Sequence, residues 1–143
     1  MDVGFIGLGT MGLPIARTMA RAGTRLVVWN RSQPARGAMR AVGARVAQTP
    51  GQVFDDVEVV FMMLANGDVI DAVLHRGTAA FDQLVRGHTL VHMGTTAASY
   101  SQRLATDTTR AGGRYVEAPV SGSRVPAEQG QLVGMVAGRR LRT

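Results

Sequence analysis

The sequence from Val3 to Gly12 reads Val-Gly-Phe-Ile-Gly-Leu-Gly-Thr-Met-Gly, and this stretch decides the fold of the chain. An apolar run is followed by three glycines in a G-x-G-x-x-G pattern, and a helical pattern then extends to Gly23. A turn of this kind between a strand and a helix is what a dinucleotide pyrophosphate needs. Gly7 permits the tight turn, Gly9 lets the phosphates approach the backbone, and Gly12 lets the helix pack against the strand.

The alternative interpretation is a glycine-rich turn that only connects a strand to a helix, since the chain contains 18 glycines. The context favours the nucleotide site. Pro14 falls in a first helical turn, where proline is tolerated, and Ile15 and Met19 recur at helical spacing. Phosphates would meet free N–H groups at the helix N-terminus. The residues predicted to bind the cofactor in this turn are Gly7, Leu8, Gly9, Thr10, Met11 and Gly12.

Apolar runs and helical patterns alternate through the rest of the chain. The predicted strands are residues 25–30, 57–64, 89–93 and 115–118, with a last extended piece at 131–136. The predicted helices are residues 32–43, 49–54 and 67–74, and one that begins at Thr96 or Ser99 and reaches Ala111; residues 77–84 stay ambiguous. This alternation predicts an α/β fold of the Rossmann type, doubly wound, with a mostly parallel sheet and helices on both faces.

The charges restrict the class of ligand. The 143 residues have the length of one domain, the net charge is +6, and all 16 basic residues are arginine. Residues 3–54 contain seven arginines and no acid, and we interpret this excess as lying around the nucleotide site, where it attracts an anion. Nucleic acid is not the expected partner, because the seven aromatic residues form no stacking cluster and no known reading module is visible.

Cysteine usage and hydropathy bear on the compartment. The chain has no cysteine, which excludes a disulfide framework and agrees with a reducing cytoplasm. No stretch approaches the roughly 20 apolar residues of a membrane span, and the N-terminus lacks the charged region of a signal peptide. We therefore expect a cytoplasmic protein with no membrane partner and no bound metal.

The end of the second predicted strand distinguishes between two cofactors. NAD sites carry an acid about 20 residues after the glycine turn, which binds the ribose 2′-hydroxyl. This chain has Asn30, Arg31 and Ser32 there, and no acid. A guanidinium and a hydroxyl at a helix N-terminus suit a 2′-phosphate, so the sequence predicts NADP in preference to NAD, with Arg36 in reach to assist. The alternative is that Arg31 is an ordinary solvated arginine and Ser32 only a helix cap.

Five motifs together resemble the β-hydroxyacid dehydrogenase family. They are residues 3–16, Val28-Trp29-Asn30-Arg31-Ser32, Val60-Phe61-Met62-Met63-Leu64-Ala65, Gly94-Thr95-Thr96 and Glu117-Ala118-Pro119-Val120-Ser121-Gly122-Ser123. The family includes 3-hydroxyisobutyrate dehydrogenase and several semialdehyde reductases, and residues 121–132 look most like the glyoxylate and succinic semialdehyde reductase branch. The resemblance implies hydride transfer between NADP(H) and a small 3-hydroxy acid, semialdehyde or keto acid. It also implies homo-oligomers for the full-length relatives.

The resemblance assigns further site residues. It implies that Met63, Leu64 and Ala65 line the cofactor and that Thr95 lies beside the nicotinamide ribose. It also implies that the segment Ser121, Gly122 and Ser123 holds the substrate carboxylate. A hydroxyl and exposed N–H groups after a strand ended by proline suit that task, whereas the alternative is an ordinary polar turn.

The chain departs from the family at two positions near Thr95. His92 and Gly94 stand where the family usually has an acidic or amide residue and a serine, so the local hydrogen bonding is open. A general acid–base role for His92 is conceivable from its side chain. We favour a structural role, because the residue ends an apolar strand. For His75 and His88 we expect solvated side chains.

The chain contains no lysine, whereas the family's catalytic lysine lies on a long helix followed by an all-helical domain that completes the substrate pocket and the dimer. We therefore expect a truncated cofactor-binding half, residues 1–138, with a disordered basic tail at residues 139–143, no catalytic residue of its own, and little or no activity. Two other hypotheses remain open. One is a stand-alone NADP-binding or interaction module, and the other is a basic protein whose affinity for DNA falls steeply with salt.

Overall fold

A computed structural model of the chain describes residues 2–121, 133–134 and 137–138. Helices and strands alternate from the start of the chain, as the sequence pattern predicts. In order they are β1 (Val3–Ile6), α1 (Gly12–Arg21), β2 (Leu26–Trp29), α2 (Gln33–Ala41), β3 (Arg45–Val46), α3 (Pro50–Val53), β4 (Val59–Met62), α4 (Gly67–Leu74), α5 (Ala79–Val85), β5 (Thr89–His92), α6 (Ala98–Arg110), β6 (Arg114–Glu117), β7 (Val120–Ser121), β8 (Val133–Gly134) and β9 (Ala137–Gly138).

The main sheet has the strand order β3-β2-β1-β4-β5-β6-β9. The first six of these strands are parallel, and β9 is antiparallel to β6. The short strands β7 and β8 form a separate antiparallel pair. The order reverses between β1 and β4, and ligands of open α/β sheets bind in the crevice at that switch point. The predicted doubly wound, mostly parallel α/β fold is confirmed.

The sheet is buried on both faces, which explains why its strands are continuously apolar. Neighbouring residues of one strand belong to different clusters: Ile6 packs into one core cluster and Phe5 into the other. Val27 and Val28 divide in the same way. Because side chains alternate between the faces of a strand, the two clusters lie on opposite faces of the sheet, each covered by helices.

Several local expectations can be compared with the structure. Thr49 caps α3 by accepting a hydrogen bond from the Gln52 N–H, as predicted. The ambiguous residues 77–84 contain most of α5, and α6 begins between the two predicted starts. The short edge strands β3 and β9 were not predicted, because two residues carry no recognisable alternation.

Some sequence-based expectations lie outside the described residues. These are Gly122, Ser123 and the tail 139–143, together with most of the extended piece at 131–136, of which Val133–Gly134 forms β8. Within the residues that the structure does describe, none of the helices has the length and apolar character required to cross a bilayer.

Candidate dinucleotide-binding site

Five strands end in register at one edge of the sheet, and the predicted site residues follow those ends. The hydrogen-bonded row across the sheet consists of Trp29, Ile6, Met62, His92 and Glu117. Asn30 follows β2, Gly7 follows β1, and Met63 follows β4. Thr95 lies three residues beyond β5 and Ser121 four residues beyond β6. Tertiary structure therefore gathers at one edge the groups that the sequence distributes over more than a hundred residues.

Gly7 and Gly12 are required by the packing of the turn itself. Gly7 has φ of +101°, and a Cβ atom built on it would lie 2.2 Å from the carbonyl oxygen of Met63. A Cβ atom on Gly12 would lie 1.9 Å from the carbonyl oxygen of Gly7. The first glycine thus lets β1 pass close to the end of β4, and the third lets α1 start against the turn.

Gly9 differs from both because its surroundings are open. A Cβ atom on Gly9 would have no heavy atom within 4 Å, and both Gly9 and Thr10 are exposed. Among the described residues, no protein acceptor is found for the N–H groups of Thr10 and Met11, which precede the first turn of α1. The turn therefore offers unpaired donors and empty space at the same point, which is what a pyrophosphate needs.

Asn30 holds the glycine turn in place. Its side-chain Oδ1 accepts a hydrogen bond of 2.9 Å from the Leu8 N–H, and the Gly7 N–H donates to the Trp29 carbonyl at 3.1 Å. The Leu8 side chain is buried in the core. The backbone donor and the side chain of Leu8 are thus both occupied within the protein. Sequence reasoning placed Asn30 and Leu8 in the site but did not foresee their bond to each other.

Arg31 and Ser32 lie on the surface where β2 passes into α2. Both are exposed. Ser32 occupies the N-cap position of α2, but its side chain makes no capping hydrogen bond. Ser32 thus has the backbone position of a cap, while its hydroxyl is not engaged in capping. The hydroxyl stands at a helix N-terminus, one residue after Arg31, where an anion is favoured.

The Arg36 side chain contacts the backbone of the same corner between β2 and α2. Its Nε donates to the Asn30 carbonyl at 2.5 Å, and its NH2 group lies 3.5 Å from the Arg31 carbonyl oxygen. The guanidinium stands 5.6 Å from the centroid of the Trp29 ring, within cation–π range. Arg36 thereby fixes the backbone that carries Arg31 and adds positive charge beside it.

Three other arginines of residues 3–54 lie away from this edge. Arg21 and Arg40 lie in the last turns of α1 and α2. Arg21 lies about 14 Å along the helix axis from Gly12, which exceeds the Debye length of about 8 Å at physiological salt. Arg25 precedes β2 and pairs with Asp2 at 3.1 Å. The expectation that the whole excess of charge surrounds the site was wrong, because helices return the chain to the opposite edge of the sheet.

The residues after β4 form the other wall of the switch point. The Met63 N–H donates to the Ile6 carbonyl at 2.9 Å, so the chain stays paired with β1 one residue beyond the strand. Met63 and Leu64 are half-buried and Ala65 is exposed. Asn66 then caps α4, because its Oδ1 accepts a 3.0 Å hydrogen bond from the Val69 N–H. Met63, Leu64 and Ala65 thus form a short apolar surface directly beside the open glycine turn, which we call the apolar ledge.

The helices that start beside β4 and β5 are tied together. The Tyr100 hydroxyl of α6 donates to an Asp71 carboxylate oxygen of α4 at 2.7 Å, and Arg76 bridges Asp71 and Asp107. Burial and the hydrogen bond to Asp71 raise the pKa of Tyr100 above its usual value, so the hydroxyl stays a donor at neutral pH. A Cβ atom on Gly67 would meet the Tyr100 ring at 2.7 Å, which shows how closely the two helices pack.

The end of β5 is the part of the edge where this chain departs from the family resemblance. His92 is fully buried, and its Nε2 lies 3.1 Å from the Thr96 hydroxyl. Burial lowers the pKa of His92 below its usual value, and the charge of Glu117 opposes this shift. Gly94 is buried beside the ring, whereas Thr95 is exposed at the edge. A buried, neutral imidazole agrees with the predicted structural role of His92.

The other two histidines differ from each other. His75 is exposed and ends α4 in the left-handed conformation, so its predicted solvated state is confirmed. His88 is half-buried, with Nε2 2.8 Å from the Phe54 carbonyl oxygen and Nδ1 3.0 Å from that of Arg86. The expectation of a solvated His88 was wrong, because this loop packs against the end of α3.

The open glycine turn, the polar corner after β2 and the apolar ledge after β4 define a dinucleotide-binding domain of the Rossmann type. The chain belongs to the family of the NAD-binding domain of 6-phosphogluconate dehydrogenase, whose family model matches residues 2–142. The match agrees with the nicotinamide dinucleotide class that the sequence predicts.

Similar proteins support the resemblance to hydroxyacid dehydrogenases and reductases. Glyoxylate/succinic semialdehyde reductase 1 of Arabidopsis thaliana is 34% identical over 138 residues, which are 96% of this chain and 48% of that protein. Cytokine-like nuclear factor N-PAC of Anopheles gambiae is 32% identical over 141 residues, which are 99% of this chain and 25% of that protein. The structure of an imine reductase from Streptomyces aurantiacus superposes with a TM-score of 0.88 at 26% identity, covering 98% of this chain and 48% of that one. The chain thus spans about half the length of the reductases that it matches.

Proposed function

We propose that the chain is the NADP-binding domain of an oxidoreductase of the β-hydroxyacid dehydrogenase type. The observation that carries the choice of NADP is the corner after β2. Arg31 and Ser32 are exposed there, and the Ser32 hydroxyl is not used for capping. A 2′-phosphate on this corner would receive charge-assisted hydrogen bonds from the guanidinium and the hydroxyl, while Arg36 contributes further positive charge.

The hydrogen bonds of Asn30 also favour NADP over NAD. A free 2′-hydroxyl is bound in NAD sites by a carboxylate at the end of this strand. Here the corresponding side chain is an amide whose oxygen already accepts from the Leu8 N–H. The remaining amide group is a donor, and its Nδ2 lies 3.4 Å from the Ser32 carbonyl oxygen. The corner therefore contains donors and positive charge but no carboxylate acceptor, which favours a phosphate over a hydroxyl.

Arg31→Gln tests the cofactor. We expect the dissociation constant for NADPH to rise about 10- to 100-fold, because a charge-assisted hydrogen bond contributes about 1.5–3 kcal/mol. The affinity for NADH should stay unchanged, since that cofactor has no 2′-phosphate. Titration of both cofactors by fluorescence or calorimetry gives the two constants.

Arg40→Gln is the matched control for this substitution. It removes the same charge, but Arg40 lies in the last turn of α2, whereas Arg31 precedes the first turn of that helix. An equal loss of NADPH affinity in Arg40→Gln would point to general electrostatic attraction. Equal losses for NADPH and NADH in Arg31→Gln would contradict the assignment of the 2′-phosphate.

The reaction proposed for the complete enzyme is hydride transfer between NADP(H) and a small carboxylate-bearing carbonyl or hydroxy acid. NADPH, when bound, supplies the hydride, and the protein supplies orientation and a proton donor. Met63, Leu64 and Ala65 would line the cofactor, and Thr95 would lie beside the nicotinamide ribose. Substrates of the size of glyoxylate or succinic semialdehyde fit the name of the Arabidopsis relative. The segment Ser121, Gly122 and Ser123 would hold the substrate carboxylate.

We propose that these 143 residues alone bind NADPH weakly and do not turn over a carbonyl substrate. The chain contains no lysine, so a lysine proton donor must come from elsewhere. The test is carbonyl-dependent oxidation of NADPH by the purified chain, with glyoxylate and succinic semialdehyde as substrates. We expect no rate above the background without protein. A rate that disappears in a Gly9→Val variant would refute the proposal, because that loss ties the activity to the glycine turn.

A non-catalytic NADP-binding or interaction module is the second candidate function. One relative that aligns with nearly the whole chain is named as a nuclear factor and not by a reaction. A stand-alone module should be monodisperse and bind NADPH without catalysis. A half of a larger enzyme should expose the apolar surface meant for its other half, and so bind a hydrophobic dye or aggregate. Size-exclusion chromatography with dye binding distinguishes the two.

A further inference from the structure

His92 is a buried polar residue that the proposed function does not use. It ends β5 in the row of strand ends, and its side chain is inaccessible to solvent. The ring lies against Tyr115 of β6, with 6.3 Å between the ring centroids. Within the described residues its Nδ1 has no hydrogen-bond partner. A buried histidine with one satisfied nitrogen needs a physical reason, because leaving a polar atom unpaired in the interior costs free energy.

The satisfied nitrogen begins a chain of side-chain hydrogen bonds. His92 Nε2 lies 3.1 Å from the Thr96 hydroxyl, and that hydroxyl lies 2.8 Å from the Ser101 hydroxyl. Ser101 is itself buried in the first half of α6. The chain therefore joins the end of β5 to α6 and spans the intervening loop, residues 93–97. Either neutral tautomer of the ring keeps the link, since hydroxyl groups both donate and accept.

The same loop is confined on its other side. Gly94 is buried, and a Cβ atom built there would lie 2.9 Å from the Leu64 carbonyl oxygen and 3.2 Å from Cε1 of His92. The Met93 N–H also donates to the Met62 carbonyl at 2.9 Å. The loop is thus held between the apolar ledge after β4 and the imidazole ring. Thr95 is the exposed residue between these anchors.

We infer that His92 is a positioning residue that fixes loop 93–97 through Thr96 and Ser101, and thereby places Thr95 at the cofactor edge. This inference rests on the proposed function for its effect on NADPH, but the link itself exists without ligand. His92 acts through Thr96 and does not touch the reacting atoms.

The first test measures the loop in the ligand-free protein. His92→Leu and Thr96→Val each remove one partner of the link, whereas His92→Gln and Thr96→Ser keep a group that can hydrogen-bond at the same place. We expect hydrogen exchange of the amides in residues 93–97 to become about five- to tenfold faster in the first pair, since opening the loop then breaks one hydrogen bond fewer. The second pair should stay within about threefold of wild type.

The second test measures NADPH binding by the same four variants. The dissociation constant should rise about tenfold in His92→Leu and Thr96→Val, and the double variant should be no worse than either single one, because both break one link. The conservative pair should bind nearly as wild type. Thr96 is partly exposed, so Thr96→Val leaves the core intact and remains informative if His92→Leu does not fold.

The outcomes separate this inference from the proposed function. Failure of the wild-type chain to bind NADPH would overturn the proposed function, while the exchange test would still decide whether His92 fixes the loop. Unchanged exchange and unchanged affinity in Thr96→Val would overturn the inference. Equal loss in the conservative and disruptive variants would also contradict it, because the effect would then follow from packing and not from the hydrogen bonds.

A pH profile gives a readout that packing alone would not change. Glu117 and Tyr115 of β6 and the Thr96 hydroxyl face the ring, and the Ser101 hydroxyl is hydrogen-bonded to that of Thr96. Burial raises the pKa of Tyr115 to about 12, so Tyr115 stays neutral in this range. Burial lowers the pKa of His92, so below pH about 6.5 the unfolded chain takes up a proton that the folded chain resists. The melting temperature of the wild type should therefore fall faster with acid than that of His92→Gln; parallel profiles would contradict a buried, neutral ring.

Discussion

Gly12→Ala is expected to destabilise the whole chain and to abolish cofactor binding. The new methyl group would lie 1.9 Å from the Gly7 carbonyl oxygen, which is far inside van der Waals contact. The start of α1 must then move away from the turn. Overpacking of this kind costs about 3 kcal/mol or more, whereas replacing a helical glycine by alanine gains only about 1 kcal/mol. The steric cost therefore exceeds the gain in helix propensity.

The measurement for Gly12→Ala is thermal unfolding followed by circular dichroism. A net loss of about 2 kcal/mol should lower the melting temperature by about 6 °C in a chain of this size. Gly9→Ala is the matched control, because it makes the same substitution in the same turn at a position with open surroundings. Equal melting temperatures for the two variants would show that α1 is not packed against the Gly7 carbonyl in solution.

Gly9→Val is expected to leave the fold unchanged and to weaken NADPH binding by at least about 100-fold. Gly9 is exposed and a side chain on it meets no protein atom within 4 Å, so the free protein has room for the valine. That same space lies beside the unpaired N–H groups of Thr10 and Met11, where the pyrophosphate must approach. A branched side chain there would separate the phosphates from their donors, and losing two charge-assisted hydrogen bonds of about 1.5 kcal/mol each accounts for a factor of this size.

The test compares melting temperatures with and without NADPH. Ligand at a free concentration L that binds only the folded state stabilises it by RT ln(1 + L/Kd), so NADPH well below the dissociation constant of Gly9→Val should raise the melting temperature of the wild type and leave that of the variant unchanged. Gly37→Val is the control, because Gly37 is also exposed with open surroundings but lies within α2. A normal NADPH shift in Gly9→Val would place the pyrophosphate elsewhere, and a low melting temperature without ligand would contradict the open space.

The three glycines of the motif have different surroundings in the structure. All three glycines were predicted from their spacing between an apolar strand and a helical pattern, each with its own physical reason. Gly7 and Gly12 are constrained by carbonyl groups of Met63 and of Gly7 itself. A Cβ atom on Gly9 would meet no atom of the described residues within 4 Å. A substitution at Gly9 therefore probes ligand binding with little direct effect on the packing of the turn.

The order of helices and strands was predictable because it depends on local pattern. Buried parallel strands appear as short apolar runs, and helices show their caps, first-turn prolines and apolar spacing within a few residues. The predicted NADP corner also follows from local sequence, since Asn30, Arg31 and Ser32 are adjacent. The edge strands β3 and β9 escaped prediction because pairing with a neighbour, and not their own composition, makes two residues a strand.

The sequence by itself determined the class of fold, the position of the glycine turn and the lack of an acid after the second strand, because each depends on residues close together in the chain. Only the tertiary structure decided which groups remain free for a ligand. In the folded chain the Leu8 N–H donates to the Asn30 amide oxygen, and the Ser32 hydroxyl makes no capping hydrogen bond. Arg21 and Arg40 lie away from the site. The tertiary structure also buries His92 against Thr96. These outcomes depend on contacts between distant segments, which no local pattern encodes.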